Sequence, residues 1–346
     1  MNKKNIPILS CITGGKGGNS CGSMFNFKYL LLAATIALFI IMFGIGSVSF
    51  RGFFSLKVFF DLFIDNPFLF IAAIGMTFVI ITGGIDLSVG SVAALTTMIT
   101  GTLVEIHGVS PAVVLPLVLF VGSLIGFLIG IMVHFFKIQP FIATLGGMFL
   151  ARGIALMINT DSITLNNSFF KAVSNYHIPV IGNAFITINV VIILIVVIAA
   201  VILAHYTNFG RTVYAIGGNE QSAILMGLPV GRTKILVYTI SGFCSALAGV
   251  TMMFYMPSGN PLHGVGMEMD VIAAVVIGGT MLTGGSGYML GTVFGVLILG
   301  TIATLINFQG GSVNPWWIRI INAALILVFC LLQILFEKKG RKIAKS

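Results

Sequence analysis

The sequence predicts an all-α integral membrane protein, a polytopic bundle of about ten transmembrane helices with broken helices and an internal repeat. Three observations carry that expectation. Of the 346 residues, 58% are hydrophobic and only 8% charged, against roughly 25% charged in a soluble domain. Mean hydropathy is +1.10. Glycine occurs 42 times, and small residues are what let helix backbones approach closely in lipid.

Residues 1–28 read as a polar cytoplasmic N-terminal tail, 29–336 as the transmembrane domain, and 337–346 as a basic cytoplasmic C-terminal tail. Apolar runs predict helices near 29–48, 67–82, 88–106, 111–135, 140–158, 186–205, 233–256, 268–281, 285–306 and 316–336. A span needs about 20 apolar residues, so the shorter runs are expected to be tilted, broken or re-entrant. An even number of spans puts both ends on one side. Segments 49–66, 159–185, 257–267 and 307–315 then fall outside, and 136–139 and 206–232 inside.

The net charge of +9 sits mainly at the ends. Lys3, Lys4, Lys16 and Lys28 precede the first apolar run, and Lys338, Lys339, Arg341, Lys342 and Lys345 follow the last. That is positive-inside bias in the plasma membrane, with both termini cytoplasmic, rather than a surface for nucleic acid. Cys11, Cys21, Cys244 and Cys330 form no closely spaced metal-binding pair, and His107, His134, His177, His205 and His263 are scattered. Gly14-Gly15-Lys16-Gly17 lacks the Ser or Thr of a phosphate-binding loop. The chain is therefore expected to be no enzyme and to bind no cofactor or metal.

One stretch, Gly83-Gly84-Ile85-Asp86-Leu87-Ser88-Val89-Gly90-Ser91, places an acid and four glycines between two apolar runs. It aligns with Gly278-Gly279-Thr280-Met281-Leu282-Thr283-Gly284-Gly285-Ser286 in the pattern G-G-x-x-L-[S/T]-x-G-S. Paired interruptions in two halves of a membrane protein point to a substrate path. The candidate path residues are Gly83, Gly84, Asp86, Ser88 and Gly90, with Gly278, Gly279 and Thr283 from the second copy. Asp86 has two readings: it caps the helix starting near Ser88, or it contacts substrate. Arg152 either snorkels, pairs internally or touches substrate.

The longest inner segment holds Gly218-Asn219-Glu220-Gln221-Ser222-Ala223-Ile224-Leu225-Met226-Gly227. Asn219 suits a helix N-cap, Glu220 a first turn, and Gly227 the position after the last turn. A short helix between glycines is expected, with Ala223, Leu225 and Met226 offering an apolar surface. An ordinary connecting loop is the other reading.

Gly75-Met76-Thr77-Phe78-Val79-Ile80 running into GGIDLSVGS resembles the signature of monosaccharide ABC-transporter permeases, the ribose, xylose and arabinose group. The resemblance continues through Ala143–Gly153, Val213–Glu220 and Val276–Thr280, and spans about residues 65–335. Val265-Gly266-Met267-Glu268-Met269-Asp270 and Trp316-Trp317 are most similar to galactofuranose permeases. The resemblance implies an importer. A periplasmic or surface sugar-binding protein delivers the cargo, a second, related permease subunit completes the path, and ABC ATPase subunits carry ATP and Mg. It also implies that the region from Gly218 to Gly227 docks on the ATPase. An ion-coupled secondary sugar transporter is the alternative; it calls for more embedded acids than this chain supplies.

Overall fold

A computed structural model describes residues 18–180, 185–309 and 316–343. Among them the chain is a helical bundle with two minimal antiparallel strand pairs. In order, the helices are α1 (Gly18–Ser49), α2 (Leu56–Asp65), α3 (Pro67–Ile81), α4 (Val89–Gly101), α5 (Pro111–His134), α6 (Pro140–Ile158), α7 (Ser168–Ser174) and α8 (Ile188–Tyr206). There follow α9 (Asn208–Gly218), α10 (Glu220–Leu225), α11 (Val230–Tyr255), α12 (Met267–Ile277), α13 (Met289–Phe308) and α14 (Trp316–Ile343). The strands are β1 (Ile163–Thr164), β2 (His177–Pro179), β3 (Phe185–Thr187) and β4 (Ser258–Gly259), pairing β1 with β4 and β2 with β3.

Each predicted apolar run is a helix, but ten spans are not confirmed among the described residues. Among the described residues, seven helices are long and apolar enough to cross a membrane, or eight if the bent pair α2–α3 counts as one span. The reason is length. The 15 residues of α3 and the 11 of α12 reach only about 22 and 16 Å, short of the ~30 Å hydrocarbon core. Both end at glycine pairs and are half-helices. Helices α2, α7 and α9 were not foreseen; α2 and α9 carry polar residues that hide them from a hydropathy window. Helix α1 begins at Gly18, inside the stretch expected to be a tail, and α14 continues through 337–343. Residues 1–17, with Cys11, lie outside the described residues.

At the centre stands α11, packed against α3, α4 and α5. The approach of α5 to α11 explains much of the glycine content. Gly122, Gly126 and Gly130 recur every fourth residue of α5 and so share one face. A Cβ on Gly126 would run into the Tyr238 carbonyl, and one on Gly130 would lie 2.8 Å from the Ile235 Cα. On the other side, a Cβ on Gly249 would meet the Ala93 carbonyl of α4 at 2.5 Å. Gly126→Val should therefore destabilise the fold by about 3 kcal/mol, the upper range for overpacking. Gly146→Val, where nothing lies within 4 Å, should be near neutral. Thermal aggregation of the two variants in the same detergent checks this, and equal behaviour would contradict the packing described.

The 26 residues of α11 extend about 39 Å. Its first turns meet α10. At its far end Tyr255 Oη–H donates to Asp65 Oδ1 of α2 at 3.3 Å. There α7, the β2–β3 hairpin and the β1–β4 pair also collect. Parts of 49–66 and 159–185 thus gather at one end of α11 and the segment 206–232 leads into the other.

Candidate functional site

Both glycine-rich interruptions end a half-helix in the same way. After α3, Gly83 N–H donates to Ile80 O at 2.9 Å and Gly84 N–H to Val79 O at 3.1 Å. After α12, Gly279 N–H donates to Val276 O at 2.9 Å and Thr280 N–H to Val275 O at 3.2 Å. This is a Schellman termination, which needs a left-handed residue after the last turn. Gly83 supplies it at φ +82° and Gly279 at φ +86°. The repeat expected from the sequence is therefore displaced by one residue: Gly83 corresponds to Gly279, not to Gly278. Gly278 serves a different end, since a Cβ there would lie 2.6 Å from the Gly291 carbonyl of α13.

The two interruptions touch. Gly285 N–H donates to the Ile81 carbonyl at 2.8 Å, and a Cβ on Gly284 would come within 3.0 Å of Gly83 N. A third element joins them. Gly217, near the end of α9, lies so close that a Cβ on it would collide with Ile81 O and Gly285 N. Gly217 and Gly285 were not among the candidate path residues; the Gly217-Gly218 and Gly284-Gly285 pairs stand in the sequence, but their meeting was not foreseen.

Asp86 is fully buried and binds the N-cap residue of α4, Ser88. Its Oδ1 accepts from Ser88 N–H at 2.9 Å and Ser88 Oγ–H at 2.6 Å, and its Oδ2 accepts from Ser241 Oγ–H of α11 at 2.6 Å. The Ser88 N–H is one of the free donors at the start of α4, so the carboxylate satisfies a helix end as well as tying it to α11. Tyr238 and Ser241, its surroundings on α11, were not anticipated. Gly84 packs under the Tyr238 hydroxyl. Ser88, Gly90, Gly278 and Gly279 are also buried, whereas Gly83 and Thr283 are exposed. Arg152 does not snorkel: its Nη1 donates to the carbonyls of Pro261 and His263.

Beyond α9 the short helix forms as expected. Asn219 Oδ1 accepts from Ser222 N–H at 2.9 Å, and Gly227 takes φ +74° after the last turn. Glu220 forms an ion pair with Lys234 at 2.7 Å. One expectation fails. Ala223 is fully buried, wedged with Ile216 and Val230, and offers no outer surface. The exposed apolar residues are Ile224, Leu225 and Met226, with Leu225 88% exposed. A helix this short needs one side anchored, and Ala223 is the residue small enough to sit there. Between α10 and the α5–α6 turn runs a groove of about 840 Å³, lined among others by Lys137, Gln139, Glu220 and Ile224.

Two interruptions thus meet at their breaks and are joined to a short exposed helix at one end of the bundle. Residues 58–330 match the profile of the family described as the branched-chain amino acid transport system / permease component, and the chain belongs to that family. Among its curated relatives is the inner membrane ABC transporter permease protein YjfF of Escherichia coli (strain K12), 42% identical over 88% of this chain and 92% of that one. The fructose import permease protein FruG of Bifidobacterium longum (strain NCC 2705) is 42% identical over 87% of this chain and 89% of its own. The ribose import permease protein RbsC of Escherichia coli (strain K12) is 36% identical over 89% and 95%. No solved structure matches. These relatives are permease subunits, and the ion-coupled alternative finds no support among them.

Proposed function

We propose that this chain is the membrane-spanning permease of an ATP-driven importer and carries a monosaccharide from a binding protein into the cell. The observation that supports this best is the junction of Ile81, Gly217 and Gly285. It links both interrupted half-helices to the exposed tip of α10, where a partner can push. In this reading α10 and the groove beside it face the cytoplasm and seat an ABC ATPase, which brings the ATP and Mg. The end bearing Tyr255 and the hairpins faces outward toward the binding protein. Both termini are cytoplasmic, and a second, related permease subunit completes the path. The glycines at 83, 84, 90, 278 and 279, with Ser88 and Thr283, form the moving joint of that path, and Asp86 holds one side of it together. Galactofuranose is the cargo to which Val265–Asp270 and Trp316-Trp317 point, while relatives are named for fructose and ribose.

Reconstitution tests the reading. With its ATPase, second permease and binding protein in proteoliposomes, uptake of one monosaccharide should require ATP and all partners. Uptake by this chain alone, driven by a proton or sodium gradient, would overturn it. A panel of galactofuranose, fructose, ribose and allose, read by binding-protein affinity, decides the sugar.

A further inference from the structure

The segment between α11 and α12 lies along α4 instead of projecting from the bundle. One end is held by the β1–β4 pair, with Ile163 opposite Gly259 and Thr164 opposite Ser258, and by Ser162 Oγ–H to Gly259 O at 3.3 Å. Next, Asn260 N–H reaches Thr97 Oγ1 at 3.4 Å. Farther on, Gly264 packs so closely on Gly90 that a Cβ on Gly90 would strike the Gly264 carbonyl. Gly90 and Thr97 are two turns apart and share a face of α4. The segment therefore runs antiparallel to that face for about 10 Å.

Arg152 of α6 holds the middle through the Pro261 and His263 carbonyls, the second at 2.8 Å. A guanidinium has five N–H donors, so this contact leaves several over. The Glu268 carboxylate is within electrostatic reach of Arg152, and its Oε2 would lie 2.9 Å from a Cβ on Gly90. The nearby Asp270 instead accepts from Asn322 Nδ2 at 3.1 Å, and Arg319 stacks on the Trp316 ring at 4.8 Å. Leu262 and Val265, on either side of the His263 carbonyl, are exposed, so among the described residues nothing covers them.

We propose that residues 257–266 are a movable gate over the polar face of α4, and that Arg152 is its positioning residue. The proposal rests on the transport reading above. In the closed arrangement seen here, the guanidinium binds the two carbonyls. In the open one it exchanges them for the Glu268 carboxylate. The guanidinium keeps polar partners in both arrangements, the condition that makes such a switch tolerable in an apolar setting. Where the segment meets the start of α4 the contact is glycine on glycine, so lifting that part withdraws no side chain from between the two. The open arrangement uncovers the Thr97 hydroxyl, one turn from the Thr100 hydroxyl, which is buried without a partner. Those hydroxyls match a cargo that is itself polyhydroxylated.

The test uses the complete importer in proteoliposomes, with native cysteines replaced and Thr97→Cys and Asn260→Cys introduced. A disulfide or short bifunctional crosslink between positions 97 and 260 should lower sugar uptake at least tenfold, and reduction should restore it. Arg152→Gln should slow crosslinking per folded molecule and raise ATP hydrolysis without transport, with Arg152→Lys intermediate. A purely structural Arg152 would lower the amount of folded protein and leave the crosslinking rate unchanged. Uptake within twofold of normal after complete crosslinking overturns the gate, as does wild-type crosslinking in folded Arg152→Gln. Absence of ATP-dependent uptake from the importer before crosslinking overturns the transport reading itself, and the gate with it.

Discussion

Leu225→Asp should strip the partner ATPase from this permease while leaving the permease folded. Leu225 is 88% exposed, so replacing it costs the fold no more than about 0.5 kcal/mol. At an interface it would bury an apolar side chain, and an unpaired carboxylate in its place faces a desolvation cost. Central interface residues of this kind are worth about 2 kcal/mol or more, which is at least a tenfold loss of affinity. With Ile224→Asp added, co-purification of the ATPase should fall below detection and uptake with it. Ala223→Asp is a different experiment. It places a charge in the closed contact with Ile216 and Val230 and should unfold the short helix. If Leu225→Asp and Ile224→Asp together retain the ATPase at the wild-type ratio, α10 is not the docking element.

Asp86→Leu should be among the most damaging single changes in the chain. It deletes acceptors for Ser88 N–H, Ser88 Oγ–H and Ser241 Oγ–H at a fully buried point. Hydrogen bonds to charged groups contribute about 1.5–3 kcal/mol each, and an orphaned buried donor adds its own penalty. The hydroxyls can rotate toward other acceptors; the Ser88 N–H cannot. An expected loss of about 3–5 kcal/mol follows, seen as a collapse of the monodisperse fraction in detergent. Asp86→Asn keeps one carbonyl oxygen for Ser88 N–H, and its amide can donate to Ser241 Oγ. It should retain most of the folded protein and much of the uptake. A well-folded Leu variant would remove the cap, and a well-folded Asn variant with no uptake would favour contact with the cargo.

The long helices were legible because lipid asks for one thing, an unbroken apolar run, and α5, α6, α8, α11 and α13 supply it. The half-helices were legible as runs too short to span, expected to be tilted, broken or re-entrant, but hydropathy does not register where the chain turns back. The displaced repeat shows a finer limit. An alignment of letters pairs Gly83 with Gly278, whereas the geometry selects whichever glycine takes the left-handed position, and that is Gly279. Asp86 was readable as a cap from its place before a helix, but Ser241 lies 155 residues away and no local pattern names it. Ala223 was misplaced because an alanine in a short amphipathic stretch fits either face; only its packing on Ile216 and Val230 decides. The segment 257–266 was read as an outer loop, and nothing in its composition says that it lies down on α4.

The meeting of Gly217 with the Ile81 carbonyl and the Gly285 amide has a mechanical consequence. Side chains bend and rotate, so a linkage built from them absorbs small displacements before passing any on. Here the contacting parts are peptide groups with no side chain between them, and peptide groups are stiff. Such a joint has almost no backlash. A displacement of α9 bears directly on the last residue of α3 and on the loop that follows α12, with no side chain between them to absorb it. A larger residue at position 217 would not loosen that linkage; it would wedge it apart and leave each half to move alone.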